Sequence, residues 1–133
     1  MDDEINRIRE KRMQELKAKV KDGIKADVQN VDEIHFQEFI KTHPFVVLDF
    51  WAEWCAPCRR VSVVLEDLSK EFSGRVSFGK CNTDENRHLA MQFNITAIPS
   101  IMLFSQGQLV DRIIGAYPKE AIREKILRKF KLK

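Results

Sequence analysis

The chain predicts an α/β domain: a central mixed sheet of about five strands with helices on both faces. Two observations carry this. From residue 28 onward, apolar and β-branched runs of strand length alternate with stretches of helical periodicity, in the order β-α-β-α-β-α-β-β-α. Strands separated by helices are joined by crossovers and run parallel, whereas the last two strands are separated only by Gln106-Gly107, a hairpin turn signal that makes them antiparallel.

Residues 1–25 form a separate helical piece. Ile5, Ile8, Met13, Leu16 and Val20 mark a narrow apolar stripe between charges. Asp2, Asp3 and Glu4 suit a helix N-terminus, and Gly23 suits the C′ position. So short a stripe does not hold a helix alone in water. The piece therefore buries against its own domain, pairs with another chain, which makes residues 1–25 a route to self-association, or stays largely unfolded. Residues 26–133 are the domain proper.

That domain opens with a short strand at Val28. Asp32 caps a helix running to about residue 41, with Ile34, Phe36, Phe39 and Ile40 as its apolar contacts. His43-Pro44 breaks it. Residues 45–51 (FVVLDFW) read as a buried strand, and Val61, Val64, Leu65 and Leu68 mark a helix that ends near Phe72. Ser73-Gly74 is a turn. Arg75 to Cys81 alternates as a strand, with Val76, Phe78 and Lys80 on one side and Cys81 on the other, where it is buried and inert. Asp84 caps a short helix over Leu89, Ala90 and Phe93, and Asn94 takes the left-handed C′ position. Ser100 to Ser105 and Leu109 to Ile114 are the hairpin strands. Tyr117-Pro118 opens a final helix that buries Ile122, Ile126, Leu127 and Phe130.

Composition narrows the function. The chain has 133 residues, 44% hydrophobic and 32% charged, as in an ordinary soluble globular domain. A net charge of +3 argues for no nucleic-acid partner. The basic C-terminus (Arg123, Lys125, Arg128, Lys129, Lys131, Lys133) lacks interleaved aromatics and reads as a solvated helix face. No apolar run approaches the length of a membrane span. The start, Met-Asp-Asp-Glu, has neither an apolar signal core nor the basic character of a transit peptide. The expectation is a cytoplasmic protein, where an exposed C-x-x-C is catalytic rather than structural.

That motif is Cys55-Ala56-Pro57-Cys58, at the end of a buried strand and on the first turn of the following helix. First-turn N–H groups have no helical partner, and the macrodipole puts partial positive charge there, so a thiolate is stabilised and its pKa falls. The i, i+3 spacing sets both sulfurs on one face, close enough for a disulfide. The competing reading is half a zinc site. It lacks partners: beyond this pair only Cys81 remains, and His35, His43 and His88 are scattered, so no metal is expected. Six residues before Cys55, Asp49 stands in an otherwise apolar strand. Burial without a partner raises a carboxyl pKa, which suits proton exchange near neutral pH.

Several separated motifs agree with one family. Asp49-Phe50-Trp51-Ala52-Glu53-Trp54-Cys55-x-Pro57-Cys58, Lys80-x-Asn82-x-Asp84, Ile95-x-x-Ile98-Pro99-Ser100, Gly107 and Gly115 together resemble a thioredoxin, from about Val28 to about Phe130. Three features depart from the pattern: Ala56 stands between the cysteines in place of the commoner glycine, Val63 replaces a helix-kinking proline, and residues 1–25 have no counterpart. The resemblance implies a protein-disulfide reductase that needs no bound cofactor, acts on disulfide-containing proteins, and is re-reduced by a thioredoxin-reductase-type donor. In it Cys55 attacks, Cys58 resolves the mixed disulfide, Asp49 helps to deprotonate Cys58 through water, and Lys80 points toward Asp49. Pro99 is then cis and faces the cysteines, Ile98 offers backbone groups to an extended substrate, and Trp54, Gly115 and Ala116 form an apolar rim around Cys55. Trp51 packs beneath. Two other functions compete. An oxidase or isomerase of the same fold is disfavoured because no histidine lies between the cysteines. A redox-regulated interaction module would act through residues 1–25.

Overall fold

The computed structural model describes residues 5–9 and 25–133. Residues 5–9 are helical, with Ile5 and Ile8 exposed. The rest of the expected 1–25 helix, including Met13, Leu16, Val20 and Gly23, lies outside the described residues.

From Val28 the elements follow the predicted order: β1 Val28–Asn30, α1 Phe36–Thr42, β2 Phe45–Trp51, α2 Ala56–Glu71, β3 Ser77–Asn82, α3 Arg87–Gln92, β4 Ser100–Ser105, β5 Gln108–Ile114 and α4 Lys119–Lys129. The sheet runs β1-β3-β2-β4-β5. β1, β3 and β2 are parallel, and β4 pairs antiparallel with both β2 and β5. The hairpin turns through Gln106 and Gly107, both at positive φ, as a tight two-residue connection requires. Asn94 is also left-handed, at φ 54°.

Strand alternation divides the core in two. On one face, Val47, Phe78, Ile101 and Leu103 of the sheet meet Val61, Leu65 and Leu68 of α2 and Ile122 and Ile126 of α4. On the other, Val46, Leu48, Phe50 and Met102 meet Phe36, Phe39 and Ile40 of α1 and Leu89 of α3. Asp49 lies between Leu48 and Phe50, so it turns toward the α2 face.

Three local expectations are corrected. Asp32 caps a turn ahead of α1, accepting from the His35 N–H at 2.8 Å, and α1 starts only at Phe36. This leaves Ile34 83% exposed rather than packed, since the turn points it to solvent. Asp84 does not cap α3. The Asn82 carboxamide oxygen accepts from the Asp84 and Glu85 N–H groups, Asn86 takes the N-cap position, and the Asp84 carboxylate accepts instead from Trp54 Nε1 at 3.0 Å. The basic C-terminal face is partly ion-paired, Arg123 with Glu71 and Lys125 with Asp111.

Candidate active site

β2 ends at Trp51, and α2 starts five residues later at Ala56. The strand is held centrally between β3 and β4, so the connection delivers the cysteines to the C-terminal edge of the parallel strands. Pro57 sits in the first turn of α2, where its missing N–H costs no hydrogen bond. Cys55 is the N-cap. Its sulfur accepts from the Cys58 N–H at 3.3 Å, one of the donors a helix start leaves without a partner. The two cysteines are joined as a disulfide, with a Cα–Cα distance of 5.3 Å.

Cys55 reaches solvent less than the sequence implied: it is 4% exposed against 2% for Cys58. Ala52, Trp51 and Ile98 pack around the pair and cover both residues. Trp51 thus lies beneath the site as expected, with its indole N–H buried and without a hydrogen-bond partner.

Behind the disulfide is a cavity of about 160 Å³ lined by Asp49, Trp51, Ala52, Glu53, Cys58, Arg59, Ser62 and Lys80. Asp49 is 2% exposed and its Oδ1 has no hydrogen-bond partner. Burial drives its carboxyl up from 3.8 to about 7, and the nearby Lys80 charge opposes this only in part. Lys80 is register partner to Asp49 across β2 and β3. Its ammonium lies 5.4 Å from the centre of the Trp51 ring, and the two side chains form no ion pair within 4.0 Å. Desolvation therefore outweighs the attraction, and Asp49 titrates near neutrality.

The other predicted residues lie on the front. The Ile98-Pro99 peptide bond is cis, Pro99 is buried, and its carbonyl accepts from the Gly115 N–H at 2.9 Å. This bond brings Gly115, at φ 109°, and the exposed Ala116 alongside the proline. Trp54 is 71% exposed and shares an open groove with Thr83, Ile95, Thr96, Ala97 and Ile98. Cys81 lies apart, fully buried in the opposite core, with its thiol pushed up to about 12 by burial and further by Glu33 and Asp32. His35, His43 and His88 stay outside the site: His35 pairs with Asp32, His43 packs on Phe39, and His88 lies 3.6 Å from Glu33.

Sequence reasoning missed four cavity residues: Ser62, Glu53, Arg59 and Ala52. Ser62 was detectable, since a position four residues after Cys58 must share its helix face. Among the groove partners, Ile95 stands in the Ile95-x-x-Ile98-Pro99-Ser100 motif, whereas Thr83, Thr96 and Ala97 carry no local signal, because two loops, after β3 and after α3, bring them to Trp54.

The thioredoxin family model matches residues 27–128. The chloroplastic M-type thioredoxin of Spinacia oleracea is 37% identical over 119 residues, which make up 89% of this chain and 65% of that protein. Thioredoxin 1 of a Nostoc species is 39% identical over 99 residues, 74% of this chain and 92% of that one. Among solved structures, oxidised mitochondrial thioredoxin 3 of Saccharomyces cerevisiae aligns with a TM-score of 0.70 at 32% identity, over 76% of this chain and 94% of that one. These likenesses overturn the cytoplasmic expectation: the spinach relative is chloroplastic and the yeast one mitochondrial. Charge in the first few residues says nothing about where the domain behind them works.

Proposed function

This chain belongs to the thioredoxin family and is a thiol-disulfide oxidoreductase, and from that premise we propose that it runs as a protein-disulfide reductase with each residue of the cavity and groove in a defined role. The observation that carries the reading is the buried carboxyl of Asp49, without a partner at Oδ1, in one cavity with the inner cysteine. In the reduced protein, the helix start and the Cys58 N–H favour the Cys55 thiolate. That thiolate attacks one sulfur of a substrate disulfide. A Cys55–substrate bond forms, the substrate disulfide breaks, and the departing substrate thiolate takes a proton from water.

Cys58 then loses its proton toward Asp49 and attacks the Cys55 sulfur. The mixed disulfide breaks, the second substrate sulfur leaves as a thiolate that takes a proton from water, and the internal disulfide remains. Two electrons have passed from the dithiol to the substrate. A donor of the thioredoxin-reductase type returns them. The cis peptide at Pro99, the Ile98 backbone and the Gly115–Ala116 segment would lie along an extended substrate chain, with Trp54 at the groove. Lys80 limits how far burial raises Asp49. An organelle setting fits the spinach and yeast relatives.

The test is reduction of insulin disulfides, driven by a thioredoxin reductase with its nicotinamide donor, together with a reduction potential measured against glutathione. The expected outcome is catalytic turnover and a potential nearer the roughly −270 mV of thioredoxins than the roughly −120 mV of strongly oxidising relatives. A potential at the oxidising end, without turnover, would sink the reductase direction in favour of an oxidase.

A further inference from the structure

We propose that the Ser62 hydroxyl positions the proton path between Cys58 and Asp49, an inference that rests on the reductase reading above. Ser62 follows Cys58 by four residues on α2, so both stand on one helix face a turn apart. Both line the cavity into which Asp49 projects. Ser62 is half-buried there, while Val61 and Leu65 beside it on the helix are fully buried in apolar core. The polarity at position 62 thus belongs to the cavity.

The chemistry sets Ser62 apart from the other cavity groups. Lys80, Arg59 and the Trp51 indole only donate, and ionised Asp49 and Glu53 only accept. Apart from the thiol and the carboxyls when protonated, Ser62 is the one lining side chain that both donates and accepts. Ionised Asp49 needs a donor, and protonated Asp49 presents a proton that needs an acceptor. A rotating hydroxyl serves both stages. At about 160 Å³ the cavity has room for bridging waters between groups not in direct contact. In the step, the Cys58 S–H proton passes to such a water, and that water gives a proton to Asp49 Oδ1. The Cys58 thiolate then attacks the Cys55 sulfur, the Cys55–substrate bond breaks and the substrate leaves as a thiolate, and Ser62 holds the water in line. The groups facing Asp49 are Lys80 from β3, Cys58 and Arg59 from α2, and Glu53 from the connection between β2 and α2; its register partner on β4 is the uncharged Ile101.

The test compares Ser62→Ala and Ser62→Thr in the full chain. The first readout is Asp49 itself, followed by carboxyl-carbon NMR across pH in the oxidised protein. Loss of a donor to the carboxylate shifts the Asp49 midpoint up by about half a pH unit or more in Ser62→Ala, and Ser62→Thr restores it. The second readout is single-turnover resolution of a mixed disulfide on Cys55. It slows by roughly three- to tenfold near pH 7 in Ser62→Ala, and Ser62→Ala adds no further slowing in an Asp49→Asn background. An unmoved Asp49 midpoint, a threonine variant that behaves like alanine, or slowing that persists undiminished beside Asp49→Asn would each overturn the proposal. Should the unaltered chain fail to reduce disulfides, the reductase reading falls, while the titration in the oxidised protein still decides whether Ser62 faces Asp49 as argued.

Discussion

Cys58 and Cys81 are both almost inaccessible, at 2% and 0% exposure, and they lie on opposite sides of one sheet. Cys58 adjoins a polar cavity with a titratable carboxyl and a lysine. Cys81 is enclosed with Phe36, Phe39, Phe50 and Phe104, and its thiol is pushed up to about 12. The difference teaches that burial alone does not make a cysteine reactive or inert. On the proposed mechanism, what decides is whether the cysteine opens on a cavity that it shares with a group able to take the proton. Strand β2 builds both walls by alternation: Leu48 and Phe50 seal one face, while Asp49 opens the other.

The largest effect that would break this contrast is at the disulfide. Cys55→Ser is expected to abolish disulfide reduction, and Cys58→Ser to trap substrates as mixed disulfides on Cys55, visible on non-reducing gels. Retained turnover in both variants would move the reaction elsewhere, with Cys81 the one thiol common to both.

Next come the sealed wall and the open one. Phe36→Ala, in an aromatic cluster with Phe93 and Phe104, should cost about 3–5 kcal/mol in urea unfolding and leave the turnover of the remaining folded protein unchanged. Asp49→Asn should do the reverse, slowing resolution about tenfold or more while stabilising the fold. Its sign follows from the proton balance. With a folded value near 7 against 3.8 unfolded, the native chain holds a proton that the unfolded chain has lost between about pH 4 and pH 7. Stability therefore falls as pH rises through that window, by up to roughly 4 kcal/mol, and the full penalty is present above pH 7. The gain from Asp49→Asn should be greatest at pH 8 and vanish near pH 4. Equal gains at both pH values would show that Asp49 is not protonated on folding.

The smallest effect is at Cys81. Cys81→Ala should cost about 1 kcal/mol and leave turnover intact, since the thiol sits in apolar core and does not line the cavity beside Cys58. In the reduced, folded protein, iodoacetamide should label Cys55 first and Cys81 only on unfolding. Rapid labelling of Cys81 would erase the contrast between the two walls.

Much of this was legible in the chain. Strand runs such as FVVLDFW and SIMLFS, the helical spacing of Val61, Leu65 and Leu68, and the Gln106-Gly107 turn specify the elements and their order through short-range periodicity. The cysteine pair at a strand-to-helix junction announced redox chemistry, and a charged residue within an apolar strand announced Asp49. Local capping was less legible: Asp32 and Asp84 had the right residue type, yet Asp32 accepts in a turn ahead of α1, the Asn82 side chain accepts from the Asp84 N–H, and neither helix start carries a side-chain cap.

Only the tertiary structure decided the rest. The sheet order places β3 beside β2 and so sets Lys80 against Asp49, a relation between positions 31 residues apart that no periodicity encodes. The same packing determines Gly79, where an added Cβ would come within 2.8 Å of Val31. It also covers Cys55 with Ile98 and encloses Ser62 in one cavity with Cys58 and Asp49. The amino-acid order fixes which groups are present and which way each points along its own element, because those follow from bonds and dihedrals a few residues long. Distances and desolvation between elements depend on how the whole core closes, and it is desolvation that turns Asp49 from an ordinary carboxylate into one that titrates at about 7.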